Sequence, residues 1–186
     1  MSLGLLGQAD SKPATQSSAA ACLVDAARKQ IGVTTSYDPA YTALAYPGGD
    51  VPLERGVCSD VVVRSLRACG VDLQQRVHED MKKHFSAYPK RWGLKRPDPN
   101  IDHRRVLNLQ AFLTRQGKEV PLTKDPRDYW PGDVVVCRLS SGLPHIFLVS
   151  DKMHPSGRPL AIHNIGGGTQ EEDVLFAFDN TGHYRW

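Results

Sequence analysis

From Pro131 onward the chain changes character. Four short apolar runs, PGDVVVCRL, PHIFLVSDK, PLAIHNI and DVLFAFD, follow one another, separated by SSG, HPSG and GGG. Runs of this length, rich in β-branched and aromatic residues and bounded by turn formers, read as strands of an antiparallel meander. The upstream half has a different period. AAACLVDAARKQIGV predicts a helix over Ala19 to Ile31, stopped by glycine. YDPAYTALAYPGGDVP is a loop, because its prolines and glycines forbid a long regular element. A helix then starts near Cys58 and stops at Gly70, LQQRVHEDMKKHFSAYP continues helically to Tyr88, and VLNLQAFLTRQG forms one more helix ending at Gly117. Helices first and sheet second give an α+β domain.

At 186 residues, with 40% hydrophobic and 23% charged, the chain has the size and balance of one ordinary folded domain that needs no disulfide framework. Its apolar runs are far too short to span a bilayer. The start, MSLGLLGQADSKPATQSSAAA, lacks the basic n-region of a secretory signal. Its Ser, Gln, Ala and Pro content reads as a flexible leader or tag remnant over residues 1–18, with residues 19–186 expected to form a single domain.

The four cysteines, Cys22, Cys58, Cys69 and Cys137, contain no C-x-x-C pair, which argues against a zinc knuckle or a thioredoxin-like site. If one helix carries both Cys58 and Cys69, its rise separates them by roughly 16 Å, beyond disulfide reach. Cys58 is thus expected to be a free thiol. In the first turn of a helix, unsatisfied N–H groups and the helix dipole favour an anion and pull a thiol toward thiolate. The same amides can stabilise the oxyanion of a tetrahedral intermediate. The polar neighbours Arg55, Gly56, Ser59 and Asp60 argue against a merely buried structural cysteine. A nucleophile needs a base, and two of the seven histidines fall in predicted strands. His145 alternates with Phe147 and Val149 on one strand face, and His163 sits in the next strand, so adjacent strands set both rings on one side, with His163 orienting His145.

GVCSD at a helix start, PGDVVV opening a strand, then HIFLVSD and IHNI resemble, in this order, the NlpC-type papain-like cysteine peptidases of bacterial cell walls. More narrowly, YPGGDVP, VHEDM, NIDHRRV, HNIGGGTQEEDVLF and GHYRW resemble the bacterial domain-of-unknown-function family 1287 of predicted exported proteins. The resemblance implies a papain-like fold, N-terminal helices packed on a small C-terminal antiparallel sheet. It also implies Cys58 as nucleophile, His145 as base and acid, and His163 as third member. The usual Asp-Cys-Ser-Gly is altered here, since Val57 precedes the cysteine and Asp60 replaces the glycine. Asp60 is read as a substrate or structural residue that pairs with Arg64 or Arg55. Tyr46 is placed where such enzymes carry a tyrosine beside the nucleophile. His103, Arg104 and Asn164 complete the expected substrate contacts.

Between Lys82 and Arg105, eight Lys or Arg face two Asp, interleaved with Phe85, Tyr88 and Trp92. This pattern suits a nucleic-acid backbone as well as the carboxylates of a cell-wall peptide, but no nucleic-acid-binding fold accompanies it. A metal held by His145, His163 and Cys137 ranks below the thiol mechanism, and GGG is a turn rather than a phosphate cradle. The resulting expectation is an exported, periplasmic thiol hydrolase of peptidoglycan stem peptides that needs no cofactor. A peptide-binding module without turnover and a thiol acyltransferase are the alternatives.

Overall fold

A computed structural model describes residues 18–186; the expected leader lies outside the described residues, apart from Ser18. Helix α1 spans Ser18–Arg28, α2 Cys58–Ala68, α3 Leu73–His84 and α4 Val106–Arg115. A short parallel ribbon, β1 (Ser36–Tyr37) with β2 (Arg55–Gly56), runs directly into α2. The main sheet holds β3 (Val134–Arg138), β4 (Pro144–Met153), β5 (Pro159–Asn164), β6 (Thr169–Glu172) and β7 (Asp179–Tyr184), in the order β6-β5-β4-β3-β7 with all pairs antiparallel. This is the α+β, papain-like arrangement of helices on an antiparallel sheet.

Two expectations shift. The run DVLFAFD is not a strand: Leu175, Phe176 and Phe178 instead pack a loop onto the face of the sheet opposite the helices. The last strand is the less apolar DNTGHY, which returns to pair with β3 at the far edge. The third helix ends at His84, and a single 3-10 turn carries the chain to Ala87.

Helix α2 organises the core. Three consecutive valines are weak helix formers, yet every residue from Cys58 to Leu66 is buried, so packing on all sides sustains the helix. Leu23, Val24 and Ala27 of α1 and Val134, Val136, Ile146, Leu148 and Ile162 of the sheet share one hydrophobic cluster with α2. Truncating a fully buried side chain here, such as Leu66→Ala, costs about 2–5 kcal/mol. A disulfide joins Cys22 of α1 to Cys69 just beyond α2.

The start of α2 is fixed from both sides. The Arg64 guanidinium reaches back to Asp50, Thr34 and the carbonyls of Val51, Pro52 and Arg55, clamping the loop that precedes the helix. A Cβ at position 56 would stand 3.1 Å from Asp60 Oδ2 and 3.2 Å from Arg64 Nη1, which explains the glycine two residues before Cys58.

Candidate active site

Cys58 is the first residue of α2, and its sulfur is approached by the amides of Ser59 and Ile146 and by the hydroxyl of Tyr37. The thiol is buried, with only 3% of the residue exposed. Burial outweighs the helix terminus: the thiol is pushed up to about 11, with the Asp60 carboxylate also raising it and the two amides and Tyr37 opposing. The expected thiolate is therefore not the resting form. A helix dipole is a surface-scale effect, and removing a charge from water costs more.

The imidazoles meet as the strand pattern requires. His145 Nε2 lies 2.9 Å from His163 Nδ1, and His163 Nε2 lies 3.0 Å from Glu172 Oε2. This chain has a direction. The carboxylate accepts from His163 Nε2–H, so the neutral His163 ring carries its lone pair on Nδ1 and accepts from His145 Nε2–H. His145 then keeps its lone pair on Nδ1, the nitrogen able to act as base. Burial pulls His145 down to about 3, the neighbouring His163 adding to the effect, so its ring is neutral at rest. His163 is likewise lowered by burial, with Glu172 pulling the other way.

Among the described residues no hydrogen bond joins Cys58 to His145, whose ring packs 6.3 Å from that of Phe147 and 6.5 Å from that of Phe178. The link between Cys58 and His145 runs through the chain: the Ile146 amide faces the sulfur and Pro144 lines the Cys58 cavity, one on each side of His145 in sequence. That cavity has a volume of about 380 Å³ and is bordered by Tyr37, Pro39, Tyr41, Ile101, Arg104 and Arg105.

The other expected site residues separate into two groups. Asp60 and Arg104 belong together: the guanidinium grips the carboxylate with Nε–Oδ1 and Nη2–Oδ2 both 2.9 Å, replacing the expected Arg64 or Arg55. Asp60 Oδ2 also accepts from the Val57 amide at 2.7 Å, capping α2 one residue before the cysteine. The pair is buried and structural, although Arg104 still contributes a wall to the cavity. His103 is buried beside it with Nδ1 unpartnered, and burial draws its ring down to about 4. Asn164 is fully buried and donates to the carbonyls of Ser36 and Gly56, tying β5 to the β1–β2 ribbon.

Tyr46 stands elsewhere, its ring edge-on to His78 and outside the Cys58 cavity. Tyr37 is the tyrosine at the nucleophile. Nothing local in the chain marks it, because its position comes from strand register, Tyr37 opposite Gly56, two residues before the thiol. Glu172 was also missed. The ladder pairs His163 with Gln170 and Ala161 with Glu172, which makes Glu172 a diagonal neighbour of His163 on the same face. The basic stretch does not form one surface, because Arg104 is buried on Asp60 while the 90–96 segment is exposed and the Arg105 guanidinium stacks 4.2 Å over Trp92. No helix among the described residues is long and apolar enough to cross a membrane.

The sequence profile of the family described as "Domain of unknown function (DUF1287)" matches residues 24–186, and the chain belongs to that family. The uncharacterized protein YijF of Escherichia coli (strain K12) is 60% identical over 164 residues, covering 88% of this chain and 80% of that one. Among solved structures, NlpC1 from Trichomonas vaginalis superimposes with a TM-score of 0.50 at 11% identity, over 94% of this chain. This chain spans 46% of that protein's length, and the likeness is one of fold.

Proposed function

We propose that this DUF1287 chain is a thiol hydrolase that cleaves amide bonds in peptidoglycan stem peptides outside the cytoplasm. The observation that carries the reading is the hydrogen-bonded line Glu172–His163–His145, which leaves His145 Nδ1 as the basic nitrogen on the residue next to Ile146, whose amide lies on the Cys58 side of the strand. Such a line serves a proton transfer, and a pair of core histidines satisfied by backbone groups has no need of it.

In this mechanism His145 Nδ1 takes the thiol proton as the sulfur attacks the carbonyl carbon, so that charge appears only when substrate is in place. The imidazolium is held by His163, whose far nitrogen is anchored on Glu172. The Ser59 amide and the Tyr37 hydroxyl lie on the sulfur's side of the cavity, positioned to donate to the developing oxyanion. The imidazolium then protonates the leaving amine, giving a thioester, and water clears it by the same steps reversed. In this reading the contact between His145 Nδ1 and the sulfur forms when substrate binds, catalytic contacts being commonly loose before then. The Cys22–Cys69 bridge supports an exported location, because disulfides persist in oxidising compartments.

Incubation of the protein with muropeptides tests the reading. Product from the wild type and none from Cys58→Ala supports it. Binding without product in both favours a recognition module, and ligated rather than hydrolysed product favours acyl transfer.

A further inference from the structure

Pro144 forms one wall of the Cys58 cavity. That residue also borders a second cavity of about 260 Å³, walled by Arg91, Leu107, Gln110, Arg138 and Thr181. The two cavities differ in how their charges are used. In the first, Arg104 is spent on Asp60, and Arg105 on Asp102 and the Trp92 ring. In the second, neither Arg91 nor Arg138 makes a side-chain hydrogen bond or ion pair with any described residue, and both are exposed to solvent. Asp179, the cross-strand partner of Arg138 on β7, makes no ion pair with it either.

We propose that this second cavity is a subsite for a carboxylate of the substrate, held by Arg91 and Arg138 a few residues from the bond under attack. The inference rests on the hydrolase reading and adds a substrate class to it: an acidic peptide with a free carboxylate at a fixed distance from the scissile amide. The spacing follows from register. Arg138 pairs with Pro144 and Cys137 with His145 across the β3–β4 ladder. Paired Cα atoms lie about 5 Å apart and an extended peptide advances about 3.4 Å per residue. A ligand running from the sulfur beside Ile146 to the Arg138 side chain therefore crosses about two to three residues. Two arginines without a partner among the described residues, lining one cavity, suit the planar, bidentate geometry of a carboxylate.

The test uses Cys58→Ala protein, so that binding is read without turnover. The probes are a stem tetrapeptide with free carboxylates and the same peptide with its carboxylates amidated, titrated by calorimetry. The free-carboxylate peptide is expected to bind about tenfold more tightly than the amidated one. Arg91→Gln/Arg138→Gln is expected to remove that preference while leaving affinity for the amidated peptide unchanged. In the active protein the same double substitution is expected to raise KM about tenfold with kcat held. Equal affinity for the two peptides, or a preference that survives the double substitution, overturns the subsite. Carboxylate-selective binding in a protein that never releases product retains the subsite and removes the hydrolase reading instead.

Discussion

His145 and His163 face each other through Nε2 and Nδ1 at 2.9 Å, and because His163 is in turn anchored on Glu172, the ring order leaves His145 Nδ1 as the basic nitrogen. The candidate site is thus electrically quiet at rest: the Cys58 thiol, pushed up to about 11, and the His145 imidazole, drawn down to about 3, are both neutral. Papain-like chemistry is often pictured with a preformed ion pair. In the proposed mechanism the proton moves only when substrate supplies a place for the negative charge.

This arrangement governs the reactivity of the free thiol. Iodoacetamide is expected to alkylate Cys58 slowly at neutral pH, with the rate rising about tenfold per pH unit as pH approaches 10, because only the thiolate reacts and its fraction grows toward a value near 11. Mass mapping separates this from Cys137, a second buried free cysteine that burial pushes up to about 12. A plateau in the Cys58 rate below pH 8 would contradict the neutral resting pair.

The histidine relay predicts a graded loss along its length. His163→Ala is expected to lower kcat about 100-fold or more by freeing the orientation of His145, and Glu172→Gln by about tenfold, since Glu172 is partly exposed and acts through His163. Steady-state kinetics on muropeptides checks the order. Equal effects would mean that the carboxylate does more than hold a ring.

Burial of neutral histidines sets the acid limit of the fold. His103 has its folded value depressed from the usual 6.5 to about 4, so its contribution is complete above pH 6.5 and is lost as pH falls through 4. The loss amounts to about 3 kcal/mol as an order of magnitude. Urea unfolding of wild type and His103→Gln at pH 7 and pH 4 checks it: the substituted protein should lose less stability on acidification.

Asp60 and Arg104 are both nearly inaccessible and satisfy each other with two parallel hydrogen bonds. Removing either partner leaves a buried charge, so Arg104→Met is expected to destabilise the protein by about 3–5 kcal/mol. Asp60→Leu together with Arg104→Met should cost less than the sum of the two single changes. Chemical denaturation of the three variants measures the coupling.

Period and punctuation made the fold legible where elements are amphipathic. The stops at Gly70 and Gly117 and the alternation of His145, Phe147 and Val149 all correspond to real boundaries and faces. DVLFAFD misled because hydrophobicity reports burial, and a loop packed on a sheet face buries its side chains as a strand does. DNTGHY was missed because an edge strand needs only one partner and few apolar residues. Cys58 and both histidines carried local signals. Tyr37 and Glu172 did not, since their roles depend on register between strands far apart in sequence: Tyr37 opposite Gly56, and Glu172 diagonal to His163. The charge state of Cys58 was also out of reach, because it depends on how completely the sheet covers the helix end.

Asn164 holds together what the chemistry requires at one point. It follows His163 directly, and its amide holds the carbonyl just before Tyr37 and the carbonyl two residues before Cys58. Three distant stretches of polypeptide are brought to a common origin by one carboxamide that meets no reactant. Swapping loops around this scaffold can therefore retune what enters the cleft without disturbing how Cys58 and the His163 strand are spaced.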